Sequence, residues 1–168
     1  MLLKDKSRHV AFGGILAALA LLFLIMSSAI PVGRLVFVFL ASSMIGIGVN
    51  MFSIRFSAAA YAASAILGLF IVPEKTYAVL YAVVVGNYPL LKPLLDKICS
   101  LPLRLALKLV IFNAYMLVCW LIAVYLLNIP MNVGYPVWLL WLMMLVAFFV
   151  YDYAYSLFMQ KIYYALPK

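Results

Sequence analysis

The sequence predicts an all-α polytopic membrane protein, a bundle of six transmembrane helices with both termini on the cytoplasmic side. Hydrophobic residues make up 70% of the 168-residue chain, and the mean hydropathy is +1.23. Apolar runs follow one another from Val10 to Met159, and each approaches the roughly 20 residues that a transmembrane helix needs. Backbone groups in lipid must form hydrogen bonds within their own segment, so we expect these runs to be helices.

The first three spans are separated by short breaks that are rich in Pro, Gly and charge. The run that begins at Val10 is longer than the apolar region of a typical signal peptide, so we interpret it as a retained first helix. Pro31 to Arg34 ends it. A break around Arg55 ends the second span, and Pro73 to Lys75 ends the third.

The last three spans are bounded by similar signals. The fourth contains Pro89 and Pro93, and a polar connection at residues 128–135 separates the fifth from the sixth. Proline removes a backbone hydrogen bond, so we expect at Pro89 either a static kink or a break that lines a cavity or moves as a gate. The expected spans, in a single transmembrane domain of residues 1–168, are residues 10–30, 35–52, 56–72, 76–95, 103–127 and 136–159.

The distribution of charge supports this arrangement. The net charge is +8, and cytoplasmic loops of membrane proteins carry the excess of Lys and Arg. Six spans with an internal N-terminus leave only Arg34 and Lys75 outside and place the other ten basic residues inside. The positive charge therefore indicates membrane topology and not nucleic-acid binding, and we expect a bacterial plasma membrane protein.

Catalytic and metal centres find little support in the sequence. The chain has one His, two Cys and four acidic residues, whereas a zinc site needs three or four suitable ligands. The sequence also shows no clear pair of a nucleophile and its base. Ser156 lies one turn after Asp152, but this spacing is too common to indicate such a pair. We therefore predict no enzyme activity and no cofactor.

Polar residues within the fourth, fifth and sixth spans predict a buried polar layer in the inner half of the bundle. Asp152 lies nine residues before Lys161, about 13 Å from the inner end of the sixth helix. Lys92 reaches a comparable depth, and Asn87 and Asn113 lie near it. Ionisable residues in membranes are usually paired or functional. We favour an Asp152–Lys92 ion pair that fixes or latches the bundle, with a proton or ion relay as one alternative. In another, Lys92 extends to the membrane interface and pairs with no residue.

The outer half of the predicted bundle carries aromatic residues, with charged residues at its rim. Lipid contact and packing explain most of the aromatic residues. A few of them could line a pocket that opens to the outside and binds a flat or apolar small molecule. The candidate residues for this pocket are Arg34, Glu74, Tyr77, Tyr81 and Trp138.

Small residues stand four apart on the first helix, as Gly13 with Ala17 and Gly14 with Ala18. Such faces allow helix backbones to approach closely in lipid. They serve either packing within this chain or the docking of another membrane subunit. Alanine pairs with the same spacing occur on the third helix, at residues 58 to 63.

The chain resembles the substrate-binding S components of energy-coupling factor transporters in its length, its six short helices, its cytoplasmic termini and the small residues of its first helix. That resemblance implies capture of a vitamin or a similar micronutrient from outside, followed by docking on a transmembrane coupling subunit that carries two ATPases. Gly13, Gly14, Ala17 and Ala18 would then form the docking face. The chain has no Walker-type phosphate-binding loop of its own.

We therefore expect a membrane subunit that captures a small, largely apolar or aromatic micronutrient and works with a separate ATP-driven module. Its partners would be the lipid bilayer, the small-molecule ligand and the coupling subunit. One alternative is an accessory or scaffold membrane protein that binds a protein partner and transports nothing. Another is a self-contained permease or scramblase.

Overall fold

The structure of the protein, a computed structural model, describes residues 2–97, 100–125 and 137–165. All regular elements in these ranges are helical, as the sequence predicts. In chain order they are α1 (Leu2–Ala29), α2 (Arg34–Met51), α3 (Ile54–Ile71), α4 (Lys75–Leu80), a π-helical turn (Tyr81–Val85), α5 (Tyr88–Asp96), α6 (Leu101–Tyr125) and α7 (Val137–Ala165).

Six helical segments in the described ranges are long and apolar enough to cross a membrane, which confirms the predicted fold class. Each coincides with a predicted span to within a few residues, although residues 126, 127 and 136 lie outside the described part of the chain. The six segments are Val10–Ala29, Arg34–Met51, Ile54–Ile71, Lys75–Asp96, Pro102–Ile122 and Trp138–Ile162.

The chain folds as two compact units, Met1–Cys99 and Ser100–Lys168. The first contains α1 to α5, and the second contains α6 and α7. The single domain expected from the sequence stays a prediction, and each unit is described by itself.

The core of the first unit forms where α1 packs on α2 and α3. Along α1, Ala20, Leu24 and Ser27 are fully buried, and their spacing of three and four residues places them on one helix face. Leu24 lies so near α3 that a Cβ atom on Gly68 would come within 3.1 Å of its Cδ1. Small residues thus set the distance between these helices.

A left-handed glycine makes the turn between α1 and α2. Gly33 has a φ of 77°, and its carbonyl oxygen accepts the first helical hydrogen bonds of α2 from the N–H groups of Val36 (2.8 Å) and Phe37 (3.4 Å). Side chains with a Cβ atom rarely adopt this conformation. The four residues between the two helices are therefore enough to reverse the chain.

The second unit is held by side chains that α6 and α7 direct at each other. The Phe112 ring lies 5.2 Å from that of Phe148 and 6.3 Å from that of Trp141, measured between centroids. Lys108, one turn before Phe112, reaches Asp152, one turn after Phe148. Apolar and charged residues therefore share the same helical seam.

Candidate functional site

The fourth membrane span is interrupted by the π-helical turn between α4 and α5. The N–H of Gly86 donates a 2.8 Å hydrogen bond to the carbonyl of Tyr81, five residues earlier, and not to that of Ala82. The turn lies about 9–15 Å from the Lys75 end of the span, at 1.5 Å per residue. Wide turns of this kind are frequent at functional sites.

The interruption leaves two carbonyl oxygens without their usual α-helical donors. Ala82 loses the N–H of Gly86 to Tyr81, and Pro89, four residues after Val85, has no N–H to donate. In lipid each such group costs free energy unless another donor reaches it. The break therefore requires hydrogen-bond donors from neighbouring helices.

Two hydroxyl groups supply these donors from different helices. Ser42 on α2 donates a 2.6 Å hydrogen bond to the Val85 carbonyl, and Tyr61 on α3 donates to the Ala82 carbonyl. The Ser42 side chain is fully buried. Both bonds join the interrupted span to the helices packed against it.

A second hydroxyl pair lies beside the first. Ser64 Oγ is 2.8 Å from the Tyr81 hydroxyl and 3.0 Å from the Tyr61 carbonyl oxygen. A serine hydroxyl has one proton, so when Ser64 donates it to the carbonyl, Tyr81 is the donor to Ser64. The Tyr61 and Tyr81 ring centroids are 6.1 Å apart. We refer to Ser42, Tyr61, Ser64 and Tyr81 as the hydroxyl cluster.

Gly86 is the residue that permits the close approach of Tyr81 to the turn. A Cβ atom at position 86 would lie 2.8 Å from Cε2 of the Tyr81 ring and 2.9 Å from its backbone oxygen. The tyrosine is itself fully buried, so its ring has little room to move. Any larger residue here would disturb the hydroxyl cluster.

A charged cluster lies at the α2 and α4 N-terminal ends. Arg34 Nη1 is 2.8 Å from Glu74 Oε2, and the guanidinium carbon lies 5.5 Å from the centre of the Tyr77 ring. Lys75 Nζ donates to the carbonyls at the end of α3, 2.7 Å from Leu69 O and 3.0 Å from Val72 O. These residues join the ends of three helices at one rim.

The predicted outer pocket residues are partly brought together. Arg34, Glu74 and Tyr77 form the rim cluster. Tyr81 lies one turn further along the same span and belongs to the hydroxyl cluster. Trp138 is in the second unit, where it is two-thirds exposed. A ligand pocket formed by these residues stays a prediction.

Within the second unit, Asp152 forms an ion pair with Lys108. Lys108 Nζ is 2.5 Å from Asp152 Oδ2, and the two side chains are only 9% and 13% exposed. Both residues lie inside candidate membrane spans. A charged pair within a membrane costs free energy to bury, so its presence indicates either a structural or a functional requirement.

The predicted polar layer is divided between the units. Lys92 is buried in the first unit, where its ammonium group lies 5.5 Å from the centre of the Tyr88 ring, and Asn87 immediately precedes α5. In the second unit, Asn113 accepts a 3.2 Å hydrogen bond from Trp141 Nε1. A pairing of Lys92 with Asp152 stays a prediction.

The predicted docking face is divided between the core and the surface of the first unit. Ala17 packs on the core cluster, whereas Gly14 and Ala18 are exposed. Gly13 is partly covered, yet an added Cβ atom at Gly13 or Gly14 would have no neighbouring atom within 4 Å. The Gly14–Ala18 strip is therefore open to a partner helix or to lipid.

Sequence reasoning missed the donors of the hydroxyl cluster and the lysine partner of Asp152. Pro89 and Gly86 carried a usable signal, because a proline inside a membrane helix implies a carbonyl that needs a donor from elsewhere. Ser42, a hydroxyl residue on a preceding span, could have been considered as that donor. Lys108 lies seven residues inside its helix, too deep to be only a loop charge.

The comparisons with known proteins identify no relative. No protein-family model matches the chain, and no curated protein or solved structure gives a significant match. Within the described residues, no three His, Cys, Asp or Glu side chains are grouped so that they could hold a metal ion. The site is therefore interpreted from its own geometry, in which hydroxyls, carbonyls and aromatic rings dominate.

Proposed function

We propose that the protein is a membrane subunit for the uptake of a small, largely apolar or aromatic molecule. In this role it captures the molecule in its outer half and docks on a separate ATP-driven coupling module. In this proposal the chain lies in a bacterial plasma membrane, and the distribution of Lys and Arg supports the placement of both termini in the cytoplasm.

The interrupted fourth span is the observation that carries this proposal. Irregular backbone at membrane depth is tolerated where it is covered by protein or lines a cavity, and transporters place such breaks at their substrate sites. Here the break at Tyr81–Val85 leaves two carbonyls without helical donors, and these carbonyls accept hydrogen bonds from Ser42 and Tyr61. A scaffold protein could use six regular helices and would have no need for this construction.

The surroundings of the break support an aromatic or apolar ligand. Tyr77 and Tyr81 stand one turn apart on the fourth span, Tyr77 beside the Arg34 guanidinium and Tyr81 fully buried beside Ser64. Aromatic rings provide flat apolar surface, and a few polar groups fix the orientation of a bound molecule. Arg34 would recognise a polar or anionic substituent at the rim.

The exposed strip of α1 supports docking on a coupling subunit. Gly14 and Ala18 leave space for a helix to approach, which is how membrane helices associate closely. The resemblance to S components of energy-coupling factor transporters assigns the same role to this part of the first helix. ATP would be bound by the partner.

The accessory or scaffold role is the alternative, because the same exposed strip would serve a partner that transports nothing. The two functions differ in what accompanies the protein. A transport subunit binds a coupling protein with ATPases, whereas a scaffold binds another membrane protein in a fixed ratio. A self-contained permease would transport in liposomes without any partner.

Gentle purification in nanodiscs from native membranes, followed by mass spectrometry of the associated proteins, tests the proposal. We expect a transmembrane coupling subunit and its ATPases to accompany the wild-type protein and to be lost from Ala18→Leu. Ala106→Leu is the matched control, since Ala106 is an exposed alanine on α6 that belongs to no pair of small residues four apart. Recovery of an intact protein without ATPases, or with an unrelated membrane protein, would exclude the coupled-uptake role.

A further inference from the structure

The two halves of the fourth span are joined by an unusual set of backbone contacts. The wide turn at Tyr81–Val85 ends α4, and α5 begins at Tyr88. Pro89 lacks the N–H that would bond to the Val85 carbonyl, four residues earlier. The backbone connection between α4 and α5 is therefore weaker than in a continuous helix.

Side chains from other helices replace the missing backbone bonds. The Val85 carbonyl accepts from Ser42 on α2, and the Ala82 carbonyl accepts from Tyr61 on α3. The two hydroxyl groups therefore join the turn to α2 and α3, helices that also pack directly on α5. Such bonds can break and re-form without a change in the helices that carry them.

We propose that the π-helical turn is a hinge, and that the Ser42 and Tyr61 hydroxyls hold it in the closed position. In the open position α5 moves relative to α1, α2 and α3, and the bonds from Tyr61 to the Ala82 carbonyl and from Ser42 to the Val85 carbonyl are broken. Water or the N–H and O–H groups of a bound molecule then supply the donors. Gly86 permits both positions because it has no Cβ atom to strike Tyr81.

The strength of the two bonds suits a reversible hinge. Hydrogen bonds between membrane helices contribute modestly to stability, so the loss of one should raise the open population by roughly 3- to 20-fold. A rigid connection would need a continuous helix, which Pro89 prevents. The hinge goes beyond the proposed uptake role and operates without a cargo.

Hydrogen–deuterium exchange of the full chain in lipid nanodiscs tests the hinge. Ser42→Ala and Tyr61→Phe each remove one hydroxyl and keep the rest of the side chain. We expect amides in residues 81–96 to exchange roughly 3- to 20-fold faster in each variant. Amides of α1, α2 and α3 should exchange as in the wild-type protein.

Ser43→Ala is the matched control for Ser42→Ala. Ser43 is also fully buried on α2, but its hydroxyl donates to the Phe39 carbonyl of the same helix at 2.9 Å. The control should leave exchange at residues 81–96 unchanged, and Ser42→Thr, which keeps a hydroxyl, should restore slow exchange. Equal effects of Ser42→Ala and Ser43→Ala, or faster exchange spread over the whole unit, would overturn the hinge. No substrate is used, so this result is independent of the test of uptake.

Discussion

The Ser42 hydroxyl donates a 2.6 Å hydrogen bond to the carbonyl oxygen of Val85, the group that Pro89 leaves without a helical donor. The donor that Pro89 cannot provide is supplied by a serine that lies 43 residues before Val85. Tyr61 does the same for Ala82. The break is therefore stabilised within the first unit by hydrogen-bond donors on two neighbouring helices, α2 and α3.

The glycine at the wide turn should tolerate no side chain. We predict that Gly86→Ala lowers the free energy of unfolding by about 1–3 kcal/mol, because the new methyl group would collide with Tyr81. Thermal unfolding in detergent measures the change. Gly14→Ala, where the methyl group meets open space, is the control and should be neutral or slightly stabilising, as alanine favours helices. Equal losses in the two variants would show that the contact with Tyr81 is not the cause.

The ion pair of the second unit should be costly to break from one side. Asp152→Asn leaves the Lys108 ammonium buried without its carboxylate, and we predict a loss of about 3–5 kcal/mol. The double variant Lys108→Met/Asp152→Asn should lose much less than the sum of the losses in Lys108→Met and Asp152→Asn. Lys161→Met, an exposed position on the same helix, is the control. Additive losses in the double variant would show that the two residues do not act as a pair.

The ion pair at the rim should contribute far less. The Arg34 and Glu74 side chains are 30% and 40% exposed, so water screens their attraction. We predict that Glu74→Gln lowers the free energy of unfolding by less than about 1 kcal/mol. The same unfolding assay used for Asp152→Asn gives the comparison. A loss as large as that of Asp152→Asn would mean that the rim is a structural element.

Lys75 should act as a cap on the end of α3. Its ammonium group donates to the carbonyls of Leu69, Phe70 and Val72, which lack helical donors at a helix end. Lys75→Met should lower the free energy of unfolding by about 1 kcal/mol and speed exchange of amides in the last turn of α3. Lys97→Met, another exposed lysine of the first unit, should do neither. Unchanged exchange in Lys75→Met would show that these carbonyls need no cap.

The six spans were predictable from sequence because length and hydropathy decide which segments cross a membrane. Side-chain partners across helices were not, because they depend on the rotation at which two helices meet. Pro89 indicated a break in the fourth span. The spacing of residues along α2, however, does not show whether Ser42 or Ser43 donates to that break. Asp152 was identified as a charge within the membrane, but the pattern did not point to Lys108, which it contacts in the second unit.

Native mass spectrometry of the protein in nanodiscs prepared directly from its own membranes tests the central claim most directly. The uptake role predicts one small organic molecule bound per chain, with the aromatic or apolar character that Tyr77 and Tyr81 favour. It also predicts loss of that molecule from Arg34→Gln without loss of the folded protein. A wild-type protein that is folded and carries only lipids would contradict the account.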